Sequence, residues 1–227
     1  MLFDLHQTLV YPEVSVSEEE ISAYLNRGGY EISPQQLKAA FIFTSFIDYP
    51  RYGYKDWHTF LRRTLWRLRA GVDRQTLNGL VSLMERNKYR LYPDAREAVK
   101  RAKQLGLKTA IVTTIARFKF QDAIEGLEGD FDYIMTGYEA RCDKSNPRMY
   151  KKLLEVLRVM PEESVVIGDD LHLDILLPER LGMNAILLDR EGRGQNDVAP
   201  EAVVQSLTEA IEIVRKMGSS SAVRTEG

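Results

Sequence analysis

Val165-Val166-Ile167-Gly168-Asp169-Asp170 decides how this chain folds: three apolar residues, a glycine that lets the backbone turn, then two carboxylates. A short β-branched run closed by glycine reads as an interior strand of a parallel sheet. Polar residues just past its carboxyl end stand where open α/β sheets assemble their sites. Downstream, a helix is predicted after Asp170, then a strand from Asn184 to Leu188. Upstream lies a helix from Pro147 to Val159, preceded by a strand over Phe131 to Thr136, another helix, and a strand over Lys108 to Thr113. Before that, a helix from Ala95 to Leu105 stops at Gly106. Such alternation predicts an α/β fold, a parallel Rossmann-like sheet with helices on both faces. A last amphipathic helix is predicted near Pro200 to Met217, with 218–227 as a polar, disordered tail.

At the other end, Met1-Leu2-Phe3 ahead of Asp4 is too short to stand alone, so it joins the same sheet. From Val14 to Arg90 the pattern is helical with no strand. Ser17 with Glu20 forms a capping box, Ser33-Pro34 opens a second helix, and two further apolar stripes run through Trp57 to Leu68 and Leu77 to Met84. The expected division is therefore an α/β core of residues 1–13 and 91–227, with a small helical bundle, 14–90, inserted after the first strand. Arg62, Arg63, Arg67 and Arg69 read as a solvated helix face. The aromatics of 51–58 read as packing on the bundle.

Composition narrows the function. The chain has 227 residues, a formal net charge of -2 and one cysteine, Cys142. That balance supplies no basic field to attract nucleic acid. One thiol makes neither an internal disulfide nor a structural zinc site, which points to the cytoplasm. No apolar run reaches the ~18 residues of a membrane span, so neither membrane nor nucleic acid is expected as a partner. The oligomeric state is left open.

Four segments carry chemistry. Asp4 follows the first strand, where a carboxylate can act as a nucleophile or form a turn. Asp169, Asp170 and Asp174 form an acidic group that adjacent strands can bring to Asp4. Carboxylates so gathered repel unless a cation such as Mg²⁺ lies between them, although one of the Asp169-Asp170 pair is expected to cap the following helix. Lys144, in a loop before Pro147, can neutralise an aspartate or a phosphoryl oxygen, or simply be solvated. Thr8, Thr113 and Thr114 can offer hydroxyls or N–H groups to a phosphate, or satisfy turns.

In this order and spacing the segments resemble the haloacid dehalogenase superfamily over nearly the whole chain. Asp4 and Thr8 match its Asp-x-Asp-x-Thr motif, Thr113 its Ser/Thr motif, and Lys144-Ser145-Asn146-Pro147-Arg148-Met149-Tyr150 is similar to its lysine motif. Gly168, Asp169 and Asp174 match its acidic motif. The resemblance implies a hydrolase with a helical cap of the type inserted after the first motif. It implies Asp4 as the residue that becomes an aspartyl-phosphate, and Mg²⁺ held by Asp4, the His6 backbone carbonyl and Asp169, with Asp174 acting through water or on the ligands. Thr113 and Lys144 would then hold phosphoryl oxygens of a small phosphorylated substrate.

The departure is His6, where phosphatases of the family carry a second aspartate as acid and base. A dehalogenase does not need that group, since halide leaves without a proton, yet an imidazole can also exchange protons. Beside several carboxylates it is expected to stay protonated to higher pH. The retained acidic motif argues for Mg²⁺ and a phosphomonoester. The alternatives are a 2-haloacid dehalogenase, or a catalytically weakened protein that binds a phosphorylated ligand. Gln7 for the family's usual Gly and Ser145 for Pro are smaller deviations.

Overall fold

Leu2 and Phe3 point to opposite faces of one sheet, and that alternation organises the core. The computed structural model describes residues 1–192, 194 and 202–222. Its first strand, β1 (Leu2–Phe3), is followed by β2 (Val10–Val14) and the helices α1 (Glu18–Arg27), α2 (Pro34–Phe43), α3 (Tyr49–Tyr52), α4 (Trp57–Arg67) and α5 (Arg74–Met84). Strand β3 (Lys88–Leu91), helix α6 (Ala95–Gln104), strands β4 (Ala110–Val112) and β5 (Tyr133–Met135), and helices α7 (Gly137–Ala140) and α8 (Arg148–Leu157) come next. Then β6 (Val165–Gly168), α9 (Leu177–Arg180), β7 (Asn184–Leu188), β8 (Val203–Val204) and α10 (Leu207–Ala222) complete the described elements.

Six strands form a parallel sheet in the order β5-β4-β1-β6-β7-β8. Phe3, Ile111, Ile167 and Ile186 face one apolar layer, filled by Ala98 and Val99 of α6 and Ile211 of α10. Leu2, Val112 and Val166 face the other, filled by Met149, Tyr150, Leu153 and Leu157 of α8. Coverage on both faces explains why the strands read as unbroken apolar runs. The α/β sheet expected from the alternation is therefore present. The chain winds from β1 outward through β4 to β5, then returns to the other side of β1 for β6. That reversal puts the carboxyl ends of β1 and β6 side by side at the switch point where such sheets bind ligands.

Helices α1 to α5 pack around their own apolar cluster, with Ile21, Leu25, Leu37, Leu61, Leu65, Leu80 and Met84 buried. The anticipated capping box at Ser17 forms, and Ser33, expected only to open a helix, makes a second one. Ser17 Oγ accepts from the Glu20 N–H at 3.2 Å while Ser17 N–H donates to Glu20, and Ser33 exchanges the same pair with Gln36. Beyond the end of α2 the helix widens into a π-helical turn, Thr44–Asp48, before α3. The block touches the sheet domain where the Tyr49 hydroxyl meets Thr136 Oγ1 at 2.7 Å and where Arg141 Nη1 donates to the Arg51 carbonyl at 3.1 Å.

Several details differ from the sequence expectation. β2 and β3 form an antiparallel ribbon at the base of the helical block, where no strand was expected. Pro12 sits inside it next to a register shift, since proline offers no N–H to a ladder and interrupts a strand pattern. Between β4 and β5 the expected helix is three 3₁₀ turns, Arg117–Lys119, Gln121–Ile124 and Glu128–Asp130, with Gly126 at φ 71° breaking any longer run. Arg63 and Arg67 are not simply solvated: both bind the buried Asp48, Nε to Oδ2 at 2.9 and 2.5 Å. Helix α10 continues to Ala222, so 218–222 are helical; the rest of the expected tail, 223–227, lies outside the described residues. Among the described residues no helix is long and apolar enough to cross a membrane.

Candidate active site

Asp4 is the first residue past β1, and its N–H donates to the Ile167 carbonyl at 2.8 Å, carrying the parallel pairing beyond the strand. The carboxylate is thereby fixed at the carboxyl edge of the sheet, 7% exposed. The chain then folds back on itself. Leu9 and Val10 N–H groups both donate to the Leu5 carbonyl at 2.9 Å, and Gln7 takes φ 58°, a left-handed backbone that costs any residue with a Cβ. The Tyr92 hydroxyl holds that loop by donating to Gln7 Oε1 at 2.6 Å.

Asp169 follows β6 directly, and Asp174 returns toward it from a π-helical turn, Leu171–Leu176. The capping expected of one member falls to Asp170, whose side chain accepts the His172 and Leu173 N–H groups at 2.8 and 2.9 Å. Asp174 Oδ2 accepts the Asp170 N–H at 3.2 Å. One carboxylate oxygen from each of Asp4, Asp169 and Asp174 lies within 4.8 Å of the others. The Lys144 ammonium sits against this group, bonded to Asp4 Oδ1 and, at 2.5 Å, to Asp174 Oδ1.

Electrostatics follow from that packing. Burial pushes the Asp4 carboxyl up and the Asp169 charge adds to the shift, while Lys144 opposes both. Burial raises Asp169 to about 6, helped by Asp174, and raises Asp174 to about 6 with Asp4 adding to the effect. Burial works against the Lys144 ammonium too, but Asp174 and Asp4 outweigh it and hold Lys144 well above the usual lysine range. A lysine fixed as a cation beside three carboxylates, all of which burial makes harder to ionise, leaves the group short of positive charge. Three hard oxygen donors at this spacing suit a hard dication.

The other expected site residues divide. Thr113 follows β4, its N–H donating to Met135 and its Oγ1 accepting the Ile115 N–H at 3.2 Å. The Thr114 hydroxyl accepts the Lys144 backbone N–H at 3.3 Å, so it anchors the lysine loop. Thr8 is fully buried, and its Oγ1 has no hydrogen-bond partner among the described residues, an unmet demand in the loop after Asp4. His6 is half-buried with its ring edge-on to Tyr89, centroids 6.0 Å apart. Burial lowers its pKa, contrary to the expectation that neighbouring carboxylates would keep it protonated. No carboxylate pairs with the ring among the described residues, so desolvation decides the sign.

Two residues complete the constellation, Tyr150, to which the sequence reading gave no role of its own, and Gly168, which it read only as a turn former within the acidic motif. The Tyr150 hydroxyl donates to the Leu173 carbonyl at 2.9 Å and to Asp174 Oδ1 at 3.2 Å, steadying the acid from the core side. A Cβ added to Gly168 would overlap the Asp174 carboxylate. Tyr150 was visible as the aromatic end of the Lys144 motif, whereas the need for glycine at 168 becomes visible only once Asp174 is in place.

The fold and this arrangement of segments are those of a hydrolase. The chain belongs to the haloacid dehalogenase-like hydrolases, whose family model matches residues 2–182. It is 28% identical over 228 residues to the haloacid dehalogenase-like hydrolase domain-containing protein 3 of Danio rerio, covering 92% of this chain and 93% of that one. It is 29% identical over 142 residues to a glyceraldehyde 3-phosphate phosphatase of Pyrococcus furiosus, covering 60% and 59%. Among solved structures, a 2-haloacid dehalogenase of Pseudomonas syringae pv. Tomato superposes with a TM-score of 0.69 at 17% identity, covering 95% of this chain and 97% of that one, a likeness of fold.

Proposed function

We propose that this chain is a Mg²⁺-dependent phosphomonoesterase that works through an aspartyl-phosphate on Asp4. The observation that carries the reading is the complete set of three carboxylates, Asp4, Asp169 and Asp174, gathered within 4.8 Å around the Lys144 ammonium. A haloacid carries one negative charge and needs no such array, whereas a phosphate ester brings two. The phosphatase among the relatives points the same way.

Asp4, the His6 backbone carbonyl and Asp169 would hold the metal, with Asp174 acting through water or by orienting the other ligands. When bound, Mg²⁺ neutralises charge on the phosphoryl group and its nucleophile. Lys144 engages one oxygen of Asp4, the other would attack phosphorus in line, and Thr113 and the lysine would hold the phosphoryl oxygens. The new bond joins Asp4 to phosphorus as the ester P–O bond breaks, and the departing alkoxide takes a proton. Water then attacks phosphorus, Asp4 leaves as a carboxylate, and inorganic phosphate carries the oxygen away. His6, which stands where the family's phosphatases carry their acid/base aspartate, would give the first proton and accept the second. Its lowered pKa makes it a ready base and a scarce acid near neutrality. The helical block, 14–90, serves as a cap that excludes water and contacts the substrate.

His6 itself favours a second reading, hydrolysis of a 2-haloacid, in which Asp4 displaces halide from carbon and no proton is given to the leaving group. The deciding assay follows phosphate release from 4-nitrophenyl phosphate with and without Mg²⁺, beside halide release from 2-chloropropionate. Metal-dependent phosphate release abolished by Asp4→Asn supports the phosphomonoesterase. Metal-free halide release supports the dehalogenase. Silence in both leaves a protein that only binds phosphorylated ligands.

A further inference from the structure

Lys119 is a half-buried lysine for which no acidic partner is found among the described residues. It lies in the first 3₁₀ turn after β4, and its ammonium stands over the Phe60 ring at 3.9 Å and the Trp57 ring at 4.9 Å, both in α4. Ring faces replace part of the ammonium's water but supply no counter-charge. Loss of hydration lowers its pKa to about 8, leaving it mostly charged near neutrality.

The ammonium lines a cavity of about 140 Å³ between the helical block and the sheet domain, walled by Phe46, Tyr49, Phe60, Tyr89 and Thr114. Two of those walls are shared with the candidate active site. Thr114 holds the Lys144 backbone, and Tyr89 abuts the His6 ring. The cavity thus adjoins the candidate active site through the residues that flank His6 and Lys144. Its volume is near the roughly 150 Å³ that accepts a benzene-sized group.

We propose that Lys119 binds a carboxylate on the alcohol portion of the substrate, so that the favoured phosphomonoesters are those of small hydroxy acids. The proposal rests on the phosphomonoesterase reading above. One cation suits one carboxylate better than a second dianionic phosphate, and the aromatic walls take the carbon chain. In the apolar surroundings an arriving anion restores the partner that the lysine lacks, which strengthens the pairing over its value in water. Lys119 is thereby a specificity residue, separate from the groups that touch phosphorus.

The test compares kcat/KM for 3-phosphoglycerate and glycerol 3-phosphate, which share a three-carbon frame and differ in a carboxylate against a hydroxymethyl, with 4-nitrophenyl phosphate as reference and Mg²⁺ present. Wild type is expected to favour 3-phosphoglycerate by roughly ten- to hundredfold. Lys119→Met, which keeps the apolar stem, should bring that ratio close to one, and Lys119→Arg should retain the preference. No wild-type preference, or a ratio unchanged in Lys119→Met, overturns the proposal. Should Lys119→Met not fold, Lys119→Gln replaces it, and the wild-type ratio is decisive without any variant. Hydrolysis of the aryl ester with no carboxylate preference removes this inference alone. Silence toward all three esters removes the phosphomonoesterase reading and this inference with it.

Discussion

Gly168 and Asp174 occupy adjoining space: a Cβ on the first would fall inside the carboxylate of the second. The acid reaches that position because the turn after β6 is π-helical, and such wide turns recur where a side chain must be aimed into a site. Gly168→Ala is therefore expected to push Asp174 off Lys144 and away from Asp4 and Asp169. Overpacking of this kind costs about 1–3 kcal/mol of stability. The more specific outcome is weaker Mg²⁺ binding by calorimetry while the fold persists by circular dichroism. An alanine variant with wild-type metal affinity would show that Asp174 tolerates displacement.

Proton competition gives the second prediction. Asp169 and Asp174 both sit at about 6 in the metal-free protein, well above the ordinary carboxylate value. Below that pH they are protonated and poor ligands, and above it they are ionised. Apparent Mg²⁺ affinity should accordingly rise with pH through the region near 6 and level off by 8, with protons released on binding. Calorimetry in two buffers of different ionisation enthalpy reads that release directly. Affinity flat from pH 5 to 8 would mean that these carboxylates do not hold the ion.

His6 gives the third. Its lowered pKa leaves little imidazolium at neutral pH, so esters whose alkoxide needs a proton should turn over slowly, while 4-nitrophenyl phosphate, with a stable leaving group, should not. His6→Asp restores a carboxyl whose proton can be shared with the leaving oxygen. An increase of about 10²-fold in kcat on an alkyl phosphate, with a much smaller change on the aryl ester, is the expected pattern. Equal gains on both would point to altered loop shape instead of proton transfer.

How much of this was legible in the chain depends on the range of the physics involved. The helix starts at Ser17 and Ser33 are local, set by residues a few positions apart, and both helices begin where they were read. The buried strands were equally plain, because burial on both faces removes polar residues from Val165 to Ile167 and Ile111 to Val112. The β2–β3 ribbon was hidden because Pro12 breaks the strand pattern, and its partner is more than seventy residues away. For His6 the sign of the shift was misjudged, because nearness in sequence to Asp4 suggested an ionic environment where Tyr89 supplies an apolar one. Lys119 and Tyr150 had no local signal for their partners, since Phe60 and Asp174 reach them only through the tertiary fold.

Lys144 gives the last prediction. Its side chain is 5% exposed, and its ammonium is bonded to two carboxylates that are themselves almost fully buried. Replacing it with methionine keeps the stem but leaves Asp4 and Asp174 facing each other without a cation, a loss of about 3–5 kcal/mol for a broken buried pair. Without the cation both acids hold protons more tightly in the folded state than when unfolded, so the folded protein takes up protons as pH falls. Linkage then makes the deficit largest above the folded values and smaller once pH drops through them, provided it stays above the unfolded value of ordinary carboxyls. Denaturant melts of wild type and Lys144→Met without metal should therefore converge between pH 8 and pH 5. Added Mg²⁺ should recover part of the deficit at pH 8, since a dication can replace the missing charge between the carboxylates, while turnover stays lost for want of the ammonium at the phosphoryl group. A deficit that does not change with pH would mean that Lys144 contributes packing alone.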